Sequence, residues 1–146
     1  MSDQNYSNHT RFFSPFHFVL VPALLLGAGG AFVNLRHSLG NHNHERLYSA
    51  SLLTLVTVAL IVVALLARQF ALKAQDRAIR AEENLRHFVL TGKLLDSKLT
   101  LRQIIGLRFA ADDEFVALAQ KAAASGMSEK EIKKAITHWK ADHDRV

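Results

Sequence analysis

Three histidines and a glutamate between two apolar runs are the residues in this chain best suited to chemistry. His37, His42, His44 and Glu45 fall between Arg36 and Arg46. Imidazole nitrogens and a carboxylate are ligands for a divalent metal: His42 and His44 could reach one ion, with His37 or Glu45 completing its shell. Their spacing fits no standard zinc pattern, and Asn- and His-rich loops also arise from turn geometry alone. Haem b would need facing axial histidines inside the bilayer; the second run has none, so a haem would require a partner or a dimer. The sequence therefore assigns no metal and no cofactor.

Elsewhere the chemistry thins out. Asp112, Asp113 and Glu114 form an acidic cluster, but negative charge at a helix start is stabilising by itself. His87, His138 and His143 are scattered over helical sequence and read as solvated or interfacial. With no cysteine, disulfides, thiolate zinc sites, iron–sulfur clusters and cysteine nucleophiles are excluded. No Walker loop, dinucleotide fingerprint or H-E-x-x-H motif occurs. No catalytic residue is assigned, and the chain is read as a non-enzyme.

The elements that must position these residues are two uncharged runs. Phe12 to Leu35 is bounded by Arg11 and Arg36, and Leu47 to Ala67 by Arg46 and Arg68. Each is long enough for a helix to cross a hydrocarbon core of about 30 Å. The mean hydropathy of +0.07 thus averages two unlike parts. The expected architecture is all-α: a polar tail over 1–11, a two-helix transmembrane hairpin over 12–67 with spans at about 12–35 and 47–67, and a cytoplasmic helical region over 68–146. A cleaved signal peptide fits poorly, because the apolar run is too long and no clean A-x-A site follows. Pro22 is tolerable within the first two turns.

Both spans carry small-residue faces. Ala23, Gly27 and Ala31 recur every four residues in the first; Ala50, Thr54, Thr57, Ile61 and Ala64 alternate by four and three in the second. The two faces are expected to pack on one another, with the hydroxyls bonding either across the interface or to their own i−4 carbonyls. No ionisable side chain lies in either apolar core, which argues against a pump or transporter acting alone.

Charge sets the topology. Arg11, Arg68, Lys73, Arg77, Arg80 and Arg86 flank the spans on the side of the termini, against Arg36 and Arg46 in the loop, so both termini should be cytoplasmic. The net charge is +5. From Arg68 to Arg108 there are nine Lys/Arg against four Asp/Glu, so the basic excess adjoins the membrane. Arg68, Lys73, Arg77 and Arg80 are therefore the expected contacts for anionic lipid headgroups. Nucleic acid is not an expected partner, since stacking aromatics and a readable motif are missing.

With no Gly or Pro between Ala67 and Gly92, the second span should continue as one helix to about Val89, reaching about 33 Å past the apolar run. Along it Ala71, Ala74, Ala78, Ala81, Leu85 and Phe88 make an alanine seam suited to packing on protein, and Asp76 with Arg80 and Glu82 with Arg86 are spaced as i,i+4 pairs. Three short helices should follow. Thr100 with Gln103 and Ser128 with Glu131 fit capping boxes, Met127 with Ile132 fits a hydrophobic staple, and Asp112 is the expected cap of the middle helix. That helix carries Phe115, Leu118, Ala119 and Ala122 and ends at Gly126; the last presents Ile132, Ala135, Ile136 and Trp139.

The opening residues Gln4-Asn5-Tyr6, Asn8-His9, Arg11 and Phe16-His17-Phe18, the stretch from Leu101 to Ala110, and Glu131 to Ile136 with Trp139 carry a resemblance. The chain resembles a family of small, uncharacterised two-span bacterial inner-membrane proteins of unknown function. The resemblance implies two spans and a helical tail, and it brings no activity or site. The expected function is that of an accessory subunit or scaffold with a homo- or hetero-oligomeric membrane partner; the rival is a metal- or haem-dependent membrane redox or sensor protein using the loop histidines.

Overall fold

Each apolar run forms a helix that extends beyond the run itself. In the computed structural model, which describes residues 5–6, 13–40 and 44–142, a π-helical turn at Pro15–Leu20 leads into α1 at Val21–Gly40. The helical path therefore passes Leu35, where the sequence placed the end of the first span. Arg36 ends the apolar run, but a charge does not break a helix, and no glycine or proline intervenes between Gly30 and Gly40. The π turn lies just before Pro22. Proline cannot donate to the i−4 carbonyl and its ring crowds that turn, and the wider i→i−5 bond from Val21 N–H to the Phe16 carbonyl makes room for it.

The second helix, α2, spans His44–Thr91 without interruption, so the expected continuation past Ala67 is present and ends two residues beyond Val89. Three short helices follow: α3 at Leu101–Leu107, α4 at Asp112–Ser125 and α5 at Glu129–Ala135. The described residues contain one isolated antiparallel bridge, Ala110 to Trp139, and no strand. The chain divides into two compact units, Phe12–Ala71 and Leu72–Val146 with Met1–Arg11.

Within the first unit the helices run antiparallel. The Thr54 hydroxyl lies 3.3 Å from the Ala31 carbonyl, and a Cβ placed on Gly27 would come 3.7 Å from the Thr57 methyl, so α1 descends as α2 ascends. On α2, Ala50 and Thr57 are buried, and Thr54, Ile61 and Ala64 half-buried. On α1 the covered line is Leu24, Ala28, Ala31, Leu35 and Ser38, with Ala23 exposed. The expected stripe is therefore rotated: Ala31 stays inside it, Gly27 borders it, and Ala23 leaves it, because heptad spacing follows a long interface better than a strict four-residue step. The hydroxyls mostly bond within their own helix. Thr57 donates to Leu53, Ser38 to Asn34, and Thr54 shares its proton between Ala50 at 2.8 Å and Ala31.

In the second unit a core of Ile104, Leu107, Phe109, Phe115, Ala122 and Ile132 is almost fully buried. Both capping boxes form as expected, Thr100 with Gln103 and Ser128 with Glu131. Met127 joins Ile132 at the core, and Gly126 ends α4 in the left-handed conformation, φ 64°. Helices α3 and α5 meet at Gly106, where a Cβ would lie 3.3 Å from the Glu129 carbonyl oxygen, so a larger residue would have to push α5 back by a few tenths of an ångström.

Two expectations for this unit need correcting. Asp112 is the first residue of α4, whose cap is Ala111 with no side-chain bond. Helix α5 ends at Ala135: Ile136 turns extended, and Trp139 packs on Phe109 at 5.0 Å from a segment running back beside residues 109–111. Bonds from Ala111 N–H to the His138 carbonyl and from Lys140 N–H to the Phe109 carbonyl hold that return.

Candidate functional site

The three described members of the proposed ligand set lie on helices. His37 lies in the last turn of α1, while His44 and Glu45 open the first turn of α2, where the acid complements the helix dipole. His42 lies outside the described residues. Among the described residues no group of three metal-binding side chains comes together. Of the residues expected to meet lipid headgroups, Lys73, Arg77 and Arg80 are exposed, whereas Arg68 is half-buried with its guanidinium 5.4 Å from the Phe16 ring centre.

The densest constellation of charge lies at the C-terminal end of α2. Ile79, Glu83 and His87 recur every four residues and are all buried, so the packed face of this stretch holds a carboxylate and an imidazole. The alanine seam, Ala71 to Phe88, is exposed along its whole length. Arg86 is the hub. It pairs with Glu83 at 3.1 Å and with Asp112 at 2.6 Å, donates to the Ala110 carbonyl at 2.7 Å, and lies 4.2 Å over the Phe115 ring. These partners replace the expected one, Glu82. Burial pushes the Glu83 carboxyl above its ordinary value, against the pull of the Arg86 guanidinium.

His87 is buried rather than solvated. Its Nδ1 bonds the Lys93 carbonyl at 2.7 Å, which places the proton on that nitrogen, and its ring meets Phe115 edge-on. Beside it Lys93, Asp96, Lys98 and Gln120 line a groove of 390 Å³. The chain turns there through Gly92 at φ 74°, and the Asn84 side chain accepts from Leu95 N–H.

The acidic cluster binds elements together in place of capping. Asp112 takes Arg86, Asp113 takes His138 at 2.6 Å, and Glu114 accepts from the backbone N–H groups of Thr137 and His138. The bond to His138 holds Asp113 below its ordinary value, and His138 is raised in return. Partial burial raises Glu114, but its bonds to Thr137 and His138 outweigh that and leave it lowered. Local sequence shows only the dipole effect of these residues, because their partners are 23 to 26 residues away. His143 lies outside the described residues.

These bonds fasten the end of α2 to the first turn of α4, and that turn to residues 137–138. No curated protein and no solved structure matches the chain. A family model does match it, over residues 1–146, and the chain belongs to that family of unknown function, DUF6526.

Proposed function

We propose that the protein is a two-span bacterial inner-membrane protein, both termini cytoplasmic, acting as a non-enzymatic accessory subunit or scaffold. Its hairpin holds it in the bilayer and its C-terminal helical unit recruits a partner. One observation carries the membrane reading. The apolar windows of the two long helices have mean hydropathies of 2.0 and 2.7, yet only 6% of each is buried within the chain. Surface that apolar is stable only against lipid or another apolar body.

The scaffold reading is supported by the polar cluster just described, which is consumed in internal ties, and by spans without an ionisable side chain at mid-depth. Arg68 and Lys73 follow the apolar run by one and six residues, within about 9 Å of its end along a helix, and so lie in reach of anionic headgroups. Membrane fractionation and purification in mild detergent with mass spectrometry test the proposal. Recovery in the membrane fraction with a stoichiometric partner, another protein or itself, is the expected result. A soluble protein, or a monodisperse monomer bringing nothing, would overturn it.

A further inference from the structure

We propose that the exposed alanine seam at the end of α2 is a docking surface for a second copy of this chain, aligned in parallel. The inference rests on the membrane reading above, because two copies inserted with the same topology necessarily send their α2 helices out in the same direction.

The seam meets the requirements of such a contact. Ala74, Ala78, Ala81, Leu85 and Phe88 step by four and three, and all are exposed; Leu85, Phe88 and the adjoining Val89 are 63%, 50% and 74% accessible. Assigned to heptads, Ala78 and Leu85 are a positions and Ala74, Ala81 and Phe88 are d positions. Ile79, Glu83 and His87, buried in the unit's own core, are then b, f and c positions on the opposite face. The folded unit therefore covers one side of α2 and leaves the a/d side open.

Charge identifies the occupant. In this register Arg77 is a g position and Glu82 the e position of the next heptad, five residues on, the spacing at which g and e′ side chains meet across a parallel pair. A second copy thus supplies Glu82 to Arg77 and Arg77 to Glu82, twice by symmetry. Both side chains are exposed, and neither enters an ion pair among the described residues. Arg77 lies ten residues past Ala67, about 15 Å along the helix and beyond a Debye length of about 8 Å, so it is better placed for a protein partner than for headgroups. Two heptads make a weak interface in solution. Confinement of both copies to one bilayer raises their effective concentration, and small a and d residues let the helices approach closely.

The chain has no cysteine, so single cysteines in the full-length protein report directly in native membranes. Ala78→Cys and Leu85→Cys should give disulfide-linked dimers, and Arg80→Cys, exposed but at a c position, should give few. In the Ala78→Cys background, Arg77→Glu should lower the dimer fraction about fivefold, and adding Glu82→Arg should restore it. Equal crosslinking at residue 80, none at the seam, or no rescue by the charge swap would overturn the proposal. A membrane-embedded protein that retains another stoichiometric partner while the seam fails to crosslink leaves the scaffold reading standing and removes only self-association. A protein absent from the membrane removes that reading first.

Discussion

The two units of this chain solve the packing problem in opposite ways. In the hairpin the inside is small and the outside large: Ala31, Ala50, Ser38 and Thr57 are buried, while Phe18, Leu26, Phe32 and Leu55 point outward. In the C-terminal unit the inside is built of large residues, with Phe109, Phe115, Leu107 and Ile132 at zero exposure, although its stretch of α2 leaves Leu85, Phe88 and Val89 exposed. The first arrangement suits a medium as apolar as the side chains themselves, where close backbone approach holds helices together. The second suits water, where removing large apolar surface from solvent dominates. One helix, α2, runs through both units, burying Ala50 and Thr57 in the first and Ile79, Glu83 and His87 in the second.

That comparison can be broken most severely at Phe115. Phe115→Ala empties a site under the Arg86 guanidinium and the His87 ring, and should cost the C-terminal unit about 4 kcal/mol. Urea titration in detergent, with limited proteolysis to localise the change, should show that unit destabilised while the hairpin remains protected. If both units melted together, the contrast between them would be wrong.

A smaller loss is expected from the hub of the polar cluster. Arg86→Met should cost about 3 kcal/mol, because it leaves the Glu83 carboxylate buried without its partner. Glu83→Gln in the same background should recover part of it. The two side chains are only 11% and 8% exposed, so a surface-pair effect of a few tenths of a kcal/mol would contradict their burial.

In the hairpin the corresponding polar contact should matter little. Thr54→Val removes a hydroxyl that already bonds its own helix at 2.8 Å, so a loss of about 0.6 kcal/mol is expected in a detergent unfolding assay. A penalty near that of Arg86→Met would mean that hydroxyl bonding, rather than small-residue packing, holds the two helices.

The smallest effect is electrostatic and depends on pH. Asp113, lowered, contributes fully above its ordinary value of 3.8 and loses that contribution as pH falls through the lowered one. His138, raised, contributes fully below its ordinary value of 6.5 and loses that contribution as pH rises through the raised one. Their tie is therefore strongest between these two ordinary values. Stability of the C-terminal unit should decline slightly as pH rises above neutrality, and His138→Gln should flatten that slope. An unchanged slope would show the pair to be inert.

Local signals were legible wherever short-range chemistry decided the outcome. Thr100 with Gln103, Ser128 with Glu131, Gly126, and the buried face of Phe115, Leu118, Ala119 and Ala122 all read correctly from spacing. The face of α2 near its end did not, because periodicity counts apolar residues and the covered line there includes Glu83 and His87. Each is tolerated through a polar partner that apolar periodicity does not register: Arg86, itself tied to Asp112 26 residues on, pairs with Glu83, and the Lys93 carbonyl holds His87. Trp139 misled in the opposite sense. Its spacing continues α5, but Glu114 accepts from the Thr137 and His138 N–H groups and draws the chain out of the helix first. The site residues were hidden for the same reason, since the acidic turn of α4 has meaning only beside Arg86 and His138.

The way Glu114 and Asp113 are held has a consequence for how the protein is made. Helix α4 is synthesised well before residues 137 and 138, which bind its first turn. Until that later stretch leaves the ribosome, two of the three carboxylates at the start of α4 lack the groups that engage them. Fraying at a chain's far end is ordinarily a local matter. Here it would also free two carboxylates in the first turn of α4, so loosening residues 137–138 is felt at a second helix as well as in their own segment.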